Sequence, residues 1–534
     1  MTSRILSIEK HGLYSWVTTD DESNVNQVIE NCTTEVIQAA LSHLDGVTVV
    51  SVSVNTTGTY VPISGFSETD LPSFCDVRLE QITPGGHVVN VLVWVPISWN
   101  GRFLGTGGGG NRTDFPFENP PQMVAICRPA TVSRALRNGF ATALTDAGNR
   151  DPRIADWGLE PKTGELDWEL IENWAHRSTH DMTTMAKAVV RAIHGVDPEY
   201  AYFQGMSGGG RQAIMEAQRY PDDYDGIWAG EPAINWTKFI PAEIWPALVM
   251  KESGNVLSPT KLEAFRQALI AAEGGPRAVA DGFLNTVIES TWDPHVLVGS
   301  ATSDGVISKL DADVMKQIWN GPTSETGERL WYGIRPGSES WAQVLPYTGL
   351  AVTAEVAGFL VPQPFFIACS YIGAWILRDA EWDWNTLTIA QFRDVFAKSV
   401  TEFADIATDD PDLSAFRANG GKLLISHAAN DELIFSQGTV EYYERVVQAI
   451  GGAEETSTFA RLFLTPGDGH CHLTAAGPGL SLAAGMTALM DWVENGHAPE
   501  TILAEKIDPV TLETLSSRPA SAYVSRLVGS TKGK

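Results

Sequence analysis

The pattern of apolar and polar positions predicts strands early in the chain. The run GVTVVSVSV at residues 46–54 alternates Val with Thr and Ser, which is typical of a strand with one buried face. A helix is predicted before it, from Val25 to Leu44. Two further apolar runs follow, HVVNVLVWVPI at residues 87–97 and FLGT at residues 103–106. The first part of the chain is therefore predicted as a helix followed by three strands.

Strands and helices alternate from there onward. Apolar strands are predicted at residues 141–146, 201–206 and 226–230, with helices between them at residues 181–195 and 209–221. A strand, helix, strand rhythm is typical of a parallel sheet whose two faces are covered by helices. The fold class is therefore predicted as α/β.

The alternation stops in one central segment and then resumes. This segment carries helical stretches, several turns of Pro and Gly, and clustered aromatic residues. Its most apolar part, residues 351–377, is interrupted by one Glu and two Pro residues, which favours a buried core or pocket wall over a membrane span. We predict one core domain formed by residues 1–233 and 400–534, with residues 234–399 inserted as a lid.

The net charge of the chain restricts the kinds of molecule that it is expected to bind. The 534 residues contain 37 Lys and Arg against 65 Asp and Glu, which gives a formal net charge of −28 at pH 7. So acidic a surface repels the phosphates of nucleic acids and anionic lipid headgroups. We therefore expect no nucleic acid and no membrane as partner, and a small molecule instead. The oligomeric state is left open.

The first residues and the cysteines give an expectation for the cellular compartment. Charged residues within the first twenty positions interrupt the apolar region that a secretory signal requires. We therefore expect a cytoplasmic location for the chain as given, with secretion still open. The five cysteines include no CxxC pair, which indicates neither a zinc site nor a dense disulfide framework.

A nucleophile is predicted at Ser207. The sequence GMSGG at residues 205–209 matches G-x-S-x-G and lies between a predicted strand and a predicted helix. A serine on such a tight turn needs small neighbours, because its strained backbone would otherwise clash with the adjacent strand. The amide of Gly208 can donate to an oxyanion. The alternative is an ordinary helix-capping serine, and the strand and helix on either side favour the nucleophile.

A serine nucleophile requires a base and an orienting acid from later in the chain. His470 follows the predicted strand ARLFLTP, and Asp431 follows the predicted strand KLLISHAAN. Both positions lie at the carboxyl edge of the sheet, where α/β proteins bind their ligands. We therefore prefer Asp431 and His470. Asp468 is too close in sequence to His470 to come from a separate strand, and His427 and His472 remain the other candidates for the base.

The glycine-rich run GTGGGG at residues 105–110 literally matches a dinucleotide-binding motif. That site needs a helix that begins inside the motif, whereas the sequence that follows, NRTDFPFENPPQ, contains three prolines. A glycine-rich loop after an early strand instead supplies the second oxyanion amide in serine hydrolases. Gly108 and Gly109 are both candidates for this donor, and the sequence does not choose between them.

With these residues, the chain resembles the tannase and feruloyl esterase family of α/β hydrolases. The resemblance is carried by LPSFCDVRL, SWNGRFLGTGGGG, GFATALTDAGN, the segment around Ser207, KLLISHAANDELI and PGDGHC, and it spans nearly the whole chain. It implies an α/β-hydrolase core with an inserted lid domain that shapes a pocket for the aromatic acid of an ester. It also implies a triad of Ser207, Asp431 and His470 that needs no cofactor.

The cysteines depart from the pattern of this family. The family usually has a cysteine just before the nucleophile, bonded to the cysteine just after the catalytic histidine. Here the first position is Met206, so Cys471 cannot form that bond. We expect Met206 to fill the space against Cys471 as a soft apolar contact. Cys32 and Cys75 stand where the family tends to have an N-terminal disulfide, and the sequence leaves their state open.

The lid loop departs as well. In this family the loop carries several carboxylates that suit Ca²⁺, a cation that prefers oxygen ligands. The matching stretch here, residues 278–288, keeps only Asp281. We therefore expect no tightly held metal.

The expected activity is the two-step hydrolysis of esters of aromatic acids, of the hydroxybenzoic or hydroxycinnamic type, through an acyl-enzyme on Ser207. Two alternatives use the same features. The triad could serve a lactone hydrolase or an acyltransferase, or the chain could be a non-catalytic relative that binds aromatic ligands. An oxidoreductase is disfavoured by the prolines after Gly110.

Overall fold

The structure is a computed structural model of the 534-residue chain. It describes residues 6–8, 14–15, 22–61, 67–114, 131–149, 154–285, 290–341, 349–472, 476–508, 511 and 513–526.

The described strands form one large sheet and several small ones. In chain order they are β1 (Leu6–Ile8), β2 (Tyr14–Ser15), β3 (Val47–Asn55), β4 (Phe74–Ile82), β5 (Val88–Pro96), β6 (Arg102–Thr106), β7 (Ala141–Thr145), β8 (Tyr200–Met206), β9 (Gly226–Gly230), β10 (Ala301–Thr302), β11 (Gly305–Val306), β12 (Thr353–Val356), β13 (Phe359–Pro362), β14 (Lys422–Ala428), β15 (Ala460–Thr465), β16 (Gly479–Leu480), β17 (Thr501–Ile507) and β18 (Thr514–Ser521).

The large sheet has the order β15-β14-β9-β8-β6-β7-β5-β4-β3. From β7 to β15 neighbouring strands run parallel, whereas β3, β4 and β5 pair antiparallel, as do β5 and β7. The carboxyl ends of β8, β14 and β15 therefore lie at one edge of the sheet, and these are the strands that precede the predicted site residues. The predicted α/β fold class is confirmed.

Helices cover both faces of the sheet. They are α1 (Glu22–Asn31), α2 (Thr34–Ala40), α3 (Val132–Arg137), α4 (Trp168–Glu172), α5 (Ser178–His194), α6 (Gly208–Arg219), α7 (Trp236–Ala242), α8 (Trp245–Ser253), α9 (Pro259–Asp281, broken at Gly275), α10 (Lys309–Asn320), α11 (Phe366–Ser370), α12 (Ile389–Glu402), α13 (Ser414–Ala418), α14 (Ser436–Ile450), α15 (Ala453–Ser457) and α16 (Leu482–Asn495). Apolar side chains of α5, α6 and α14 pack on one face of the sheet, and those of α3 and α16 pack on the other.

The first predicted helix is interrupted in the structure. The expected single helix from Val25 to Leu44 is instead two helices, α1 and α2, separated at Cys32 and Thr33. Thr33 has an extended backbone, and its side chain accepts a hydrogen bond from the N–H of Val36 at 3.3 Å. A threonine in this position caps a new helix by satisfying one of its free amides. The break is therefore explained by the cap at Thr33, which the apolar pattern does not predict.

The central segment lies between two neighbouring strands of the sheet. β9 and β14 pair directly, although residues 231–421 separate them along the chain. The described residues of the segment form helices and two short hairpins, and their apolar side chains join one large buried cluster. Most side chains of the π-helical turn Tyr371–Leu377 are buried there, in line with the predicted core or pocket wall. The lid role and the domain boundaries remain predictions.

Within the described residues, no helix combines the length and the apolar character needed to cross a bilayer.

Candidate active site

Ser207 stands on a sharp turn between β8 and α6. Its backbone has φ 59° and ψ −121°, which is a strained conformation for a residue with a side chain. A Cβ atom at Gly205 would lie 2.3 Å from the carbonyl oxygen of Gly209, and one at Gly208 would lie 2.6 Å from that of Gly110. Only glycine fits at these two positions. The motif therefore adopts the strand-to-helix turn that the sequence predicted.

The three residues predicted as a triad lie together at the carboxyl edge of the sheet. His470 Nε2 is 3.1 Å from Ser207 Oγ, and His470 Nδ1 is 2.7 Å from Asp431 Oδ2. Asp431 and His470 are buried, whereas Ser207 is partly exposed. The structure thus brings nucleophile, base and acid into one hydrogen-bonded chain that opens towards solvent at the serine.

Backbone amides fix the orientation of the Asp431 carboxylate. Its Oδ1 accepts hydrogen bonds from the N–H groups of Leu433 at 2.9 Å and Ile434 at 2.7 Å, which leaves Oδ2 for the imidazole of His470. Burial would raise the pKa of Asp431, but the facing imidazoles of His470 and His427 hold it below its ordinary value. An ionised Asp431 accepts a hydrogen bond from the Nδ1–H of His470, which leaves Nε2 of the neutral imidazole as an acceptor facing the hydroxyl of Ser207.

His427 is a second imidazole on the same carboxylate. Its Nε2 lies 3.2 Å from Asp431 Oδ2 and 3.1 Å from the carbonyl oxygen of Ile434, and both of these atoms are acceptors. Its Nδ1 lies 2.9 Å from the hydroxyl of Thr439. His427 is therefore a partner of the acid, although the sequence suggested it only as a less favoured base. Its position at the end of β14, four residues before Asp431, is a signal that could have indicated this role.

Two buried glutamates hold the loop that carries His470. The carboxylate of Glu432 accepts from the N–H of His470 at 3.0 Å, and that of Glu231 accepts from the N–H of Cys471 at 2.6 Å. Sequence reasoning missed both residues. Glu231 directly follows β9 at the edge where the triad meets, which is the signal that could have found it.

The surroundings of His470 favour its protonated form. Burial lowers the pKa of His470, but the hydrogen-bonded Asp431 and the nearby carboxylates of Glu231 and Glu432 outweigh burial and raise it above the ordinary value. Burial also raises the pKa of Glu231 well above that of a free glutamate. His470 is therefore buried and surrounded by carboxyl groups.

The glycine-rich loop after β6 packs directly against the nucleophile turn. The N–H of Gly209 donates to the carbonyl of Gly108 at 2.9 Å. The N–H of Gly108 donates to Oε1 of the buried Gln212 at 2.9 Å, and Gln212 is held in turn by Thr179 at 2.9 Å. The Gly108 amide is thus occupied, whereas the N–H of Gly109 has no acceptor among the described residues. Of the two candidates that the sequence left open, this geometry favours Gly109.

The residues after this loop bear on the dinucleotide alternative. Residues 111–114 are not helical, and Thr113 donates its hydroxyl to the carbonyl of Thr145 at 2.7 Å. The three prolines that argue against a dinucleotide site, Pro116, Pro120 and Pro121, lie outside the described residues. Cys127 lies outside them as well.

The other residues that the sequence singled out have separate roles. His472 Nδ1 lies 2.6 Å from Asp468 Oδ1, so these two candidates pair with each other beside the triad. Cys471 forms no disulfide, and the buried Met206 packs over Gly230, where a Cβ atom would lie 2.9 Å from Met206 Cγ. The expected contact between Met206 and Cys471 remains a prediction.

Cys32 and Cys75 are both buried thiols in this structure. The Cys32 thiol donates to the carbonyl of Val28 at 3.3 Å. A hydrogen bond from the Cys75 thiol to the neighbouring Cys32 sulfur, together with burial, raises the pKa of the Cys75 thiol. The two sulfur atoms are therefore neighbours in the reduced state.

The described part of the stretch that corresponds to the family's calcium loop offers few oxygen ligands to a cation, and those it has are already engaged. Asp281 Oδ2 accepts from the amide of Asn285 at 2.9 Å and lies 3.6 Å from Arg277. The guanidinium of Arg518 donates to Asn285 Oδ1 at 2.8 Å, so a fixed positive charge already contacts this loop. Residues 286–289 lie outside the described part. These side chains do not fit Ca²⁺, which prefers six to eight oxygen ligands.

The inserted segment contacts the glycine-rich loop after β6. A Cβ atom at Gly110 would lie 3.2 Å from Ile367 Cδ1, which places α11 of the insert against this loop. Leu433, Ile434 and Phe435, which follow Glu432 on the same loop, belong to the same buried apolar cluster as the insert. The triad therefore borders an apolar region built from both parts of the chain.

Comparisons with known proteins show the family to which the chain belongs. The sequence model of the family described as tannase and feruloyl esterase matches residues 76–528. The chain belongs to this family. A probable feruloyl esterase of Arthroderma benhamiae is 38% identical over 457 residues, which cover 84% of this chain and 81% of that protein. Feruloyl esterase B of Aspergillus niger is 28% identical over 459 residues, which cover 81% and 80% of the two chains.

Solved structures give the same fold. The tannin acyl hydrolase from Aspergillus niger matches with a TM-score of 0.76 and 24% identity, over 93% of this chain and 92% of that one. Feruloyl esterase B from Aspergillus oryzae matches with a TM-score of 0.73 and 22% identity, over 93% and 96%. This member of the tannase and feruloyl esterase family is an esterase, a carboxylic ester hydrolase with an α/β-hydrolase fold.

Proposed function

We propose that this esterase hydrolyses esters of aromatic acids through an acyl-enzyme on Ser207. The observation that carries the proposal is the continuous chain of hydrogen bonds from Ser207 Oγ through His470 to Asp431, at 3.1 Å and 2.7 Å. Nucleophile, base and orienting acid in this geometry are the requirements of acyl transfer to serine.

In the first step, Ser207 Oγ attacks the carbonyl carbon of the ester while His470 Nε2 takes the hydroxyl proton. The carbonyl oxygen becomes an oxyanion, and the amides of Gly208 and Gly109 donate to it. The first N–H of a helix has no acceptor within the helix, so the amide of Gly208 at the start of α6 is available for this purpose. His470 then returns the proton to the departing alcohol.

In the second step, His470 activates a water molecule that attacks the acyl group on Ser207. The aromatic acid leaves, and the proton on His470 returns to the serine. Asp431 remains ionised in both steps and stabilises the imidazolium that forms each time.

Two observations support an aromatic acyl group. The relatives named above carry the names feruloyl esterase and tannin acyl hydrolase. In addition, Ile367 of the insert contacts Gly110, and Leu433 follows Asp431 in an apolar cluster rich in aromatic side chains. Such surroundings suit a planar ring beside the acyl carbon.

A panel of esters tests the substrate class. The enzyme is expected to hydrolyse at least one of methyl ferulate, methyl gallate and mono(2-hydroxyethyl) terephthalate with a higher kcat/KM than the methyl ester of an aliphatic acid. Released acid is measured by chromatography, with an added alcohol in parallel reactions to detect acyl transfer. Turnover of p-nitrophenyl acetate alone would contradict the aromatic acid, and transfer in excess of hydrolysis would contradict the hydrolase.

Activity is expected to rise with pH through a midpoint above about 6.5, the ordinary pKa of histidine. Only neutral His470 accepts the serine proton, and the carboxylates around it raise its pKa, so protonated base persists to a higher pH than usual. A profile of kcat/KM for a neutral ester between pH 5 and 9 measures this midpoint. A midpoint well below 6.5 would be inconsistent with this arrangement of charges.

A further inference from the structure

Glu231 occupies a strained turn at the end of β9. Its φ of 43° lies in the left-handed region, which residues with a side chain rarely adopt. Its own N–H donates to the carbonyl of Ser426 in the neighbouring strand β14 at 2.7 Å, and the residue is almost completely buried. A buried polar side chain in such a position needs hydrogen-bonding partners.

The residues on either side of Glu231 hold the backbone of the nucleophile. The N–H of Ser207 donates to the carbonyl of Gly230 at 2.9 Å, and the N–H of Ala233 donates to the carbonyl of Ser207 at 3.0 Å. The short segment from Gly230 to Ala233 is therefore hydrogen-bonded to both the N–H and the carbonyl of Ser207. Any displacement of this segment displaces the nucleophile.

The side chain of Glu231 reaches the loop that carries the base. Its Oε2 accepts from the N–H of Cys471 at 2.6 Å and lies 3.9 Å from His470 Nδ1. Cys471 and His472 both have left-handed backbones, with φ of 49° and 63°. Two successive residues in this conformation persist only where the surroundings hold them. The carboxyl group of Glu231 is one of the groups that hold Cys471 and His472 in this conformation.

We propose that Glu231 is a positioning residue that fixes the distance between the nucleophile and the base. It connects the segment that holds Ser207 to the loop that holds His470, through one hydrogen bond to a backbone amide. Cys471 contributes its N–H to this link, and its sulfur forms no disulfide. The inference rests on the proposed function, because the distance matters only if these two residues react with a substrate.

A pair of substitutions separates this role from a general contribution to stability. Glu231→Gln keeps an oxygen that can accept from Cys471, whereas Glu231→Ala removes the acceptor. Because small displacements of reacting groups cost about 100-fold in rate, we expect Glu231→Ala to lower kcat by about that factor with KM nearly unchanged. Glu231→Gln is expected to retain kcat within about threefold of the wild-type enzyme, since the backbone bond persists.

The matched control is Glu68→Ala. Glu68 is also buried, and it pairs with Arg137 at 2.9 Å in another part of the fold. This variant is expected to lose thermal stability and keep its kcat. Steady-state kinetics on the best aromatic ester and thermal unfolding are measured for all three variants in parallel.

Each outcome bears on the proposal. An unchanged kcat in Glu231→Ala, or equal losses in the Ala and Gln variants, would overturn it. If Glu231→Ala does not fold, Glu231→Asp replaces it: the shorter side chain cannot keep the same bond, so a kcat equal to that of Glu231→Gln would also overturn it. Ser207→Ala serves as the reference. If that variant stays active, the proposed function fails; if it is inactive while Glu231→Ala is fully active, only the role of Glu231 fails.

Discussion

Replacement of Ser207 by alanine is expected to lower kcat by about 10⁴- to 10⁶-fold, because the acyl-enzyme can no longer form. The fold should survive. The backbone bonds of Ser207 to Gly230, Arg211 and Ala233 use only main-chain atoms, which alanine also has. Its left-handed backbone is equally strained for serine and alanine, so the substitution adds no new strain.

The measurement is kcat on the best aromatic ester, together with thermal unfolding and labelling by a fluorophosphonate probe. Wild-type enzyme should incorporate one probe per chain, and Ser207→Ala none. Ser399→Ala is the control, because Ser399 is a buried serine of the insert that donates to the carbonyl of Thr237 at 2.7 Å. This control should lose stability and keep its activity. Residual kcat above a tenth of the wild-type value in Ser207→Ala would show that another group is the nucleophile.

The proximity of the three predicted triad residues could be anticipated because each of them follows a strand. Ser207, Asp431 and His470 are separated along the chain, yet Ser207 directly follows β8, and Asp431 and His470 lie in the loops that begin at the ends of β14 and β15. Parallel strands in one sheet place such positions at the same edge, so apolar runs alone restrict where the partners can be. The same reasoning predicted the α/β class, since alternating strands and helices admit few topologies.

The supporting residues could not be predicted in this way, because they depend on side-chain geometry. Gln212 lies on α6 and occupies the amide of Gly108, a contact across about a hundred residues that decides between two adjacent glycines. His427 lies near the end of β14, four residues before Asp431, but the contact of its imidazole with the carboxylate of Asp431 depends on the side-chain geometry. Thr33 ends one helix and begins another within a continuous apolar pattern. In each case a single hydrogen bond, rather than a pattern, determines the outcome.

The same contacts explain how the site stays ordered without the cysteine pair that the family usually has. The loop of His470 is held through backbone amides by Glu432 and Glu231, and the loop of Gly108 is held by Gln212. All three side chains are buried, where hydrogen bonds are shielded from water. Hydrogen bonds from these buried side chains therefore hold the loop of His470 and the glycine-rich loop in place relative to Ser207.

The second large effect is expected for Asp431→Asn, which should lower kcat by about 10⁴-fold by imposing the wrong tautomer on His470. The N–H groups of Leu433 and Ile434 both donate to one oxygen of residue 431, so the amide oxygen of asparagine must take that place. The amide nitrogen then faces His470 Nδ1 and donates to it. The remaining proton of the imidazole moves to Nε2, which can no longer accept a proton from Ser207.

The two effects of this substitution can be measured separately. Loss of the carboxylate also lowers the pKa of His470, because Asp431 is the main group that raises it, so the residual activity should begin to rise at a lower pH than in the wild-type enzyme. Asp311→Asn is the control: Asp311 is equally buried, binds Lys261 at 2.8 Å in the insert and should affect stability alone. A kcat within tenfold of wild type for Asp431→Asn would mean that His470 does not depend on Asp431 for its orientation, and the order of the proposed proton relay would be wrong.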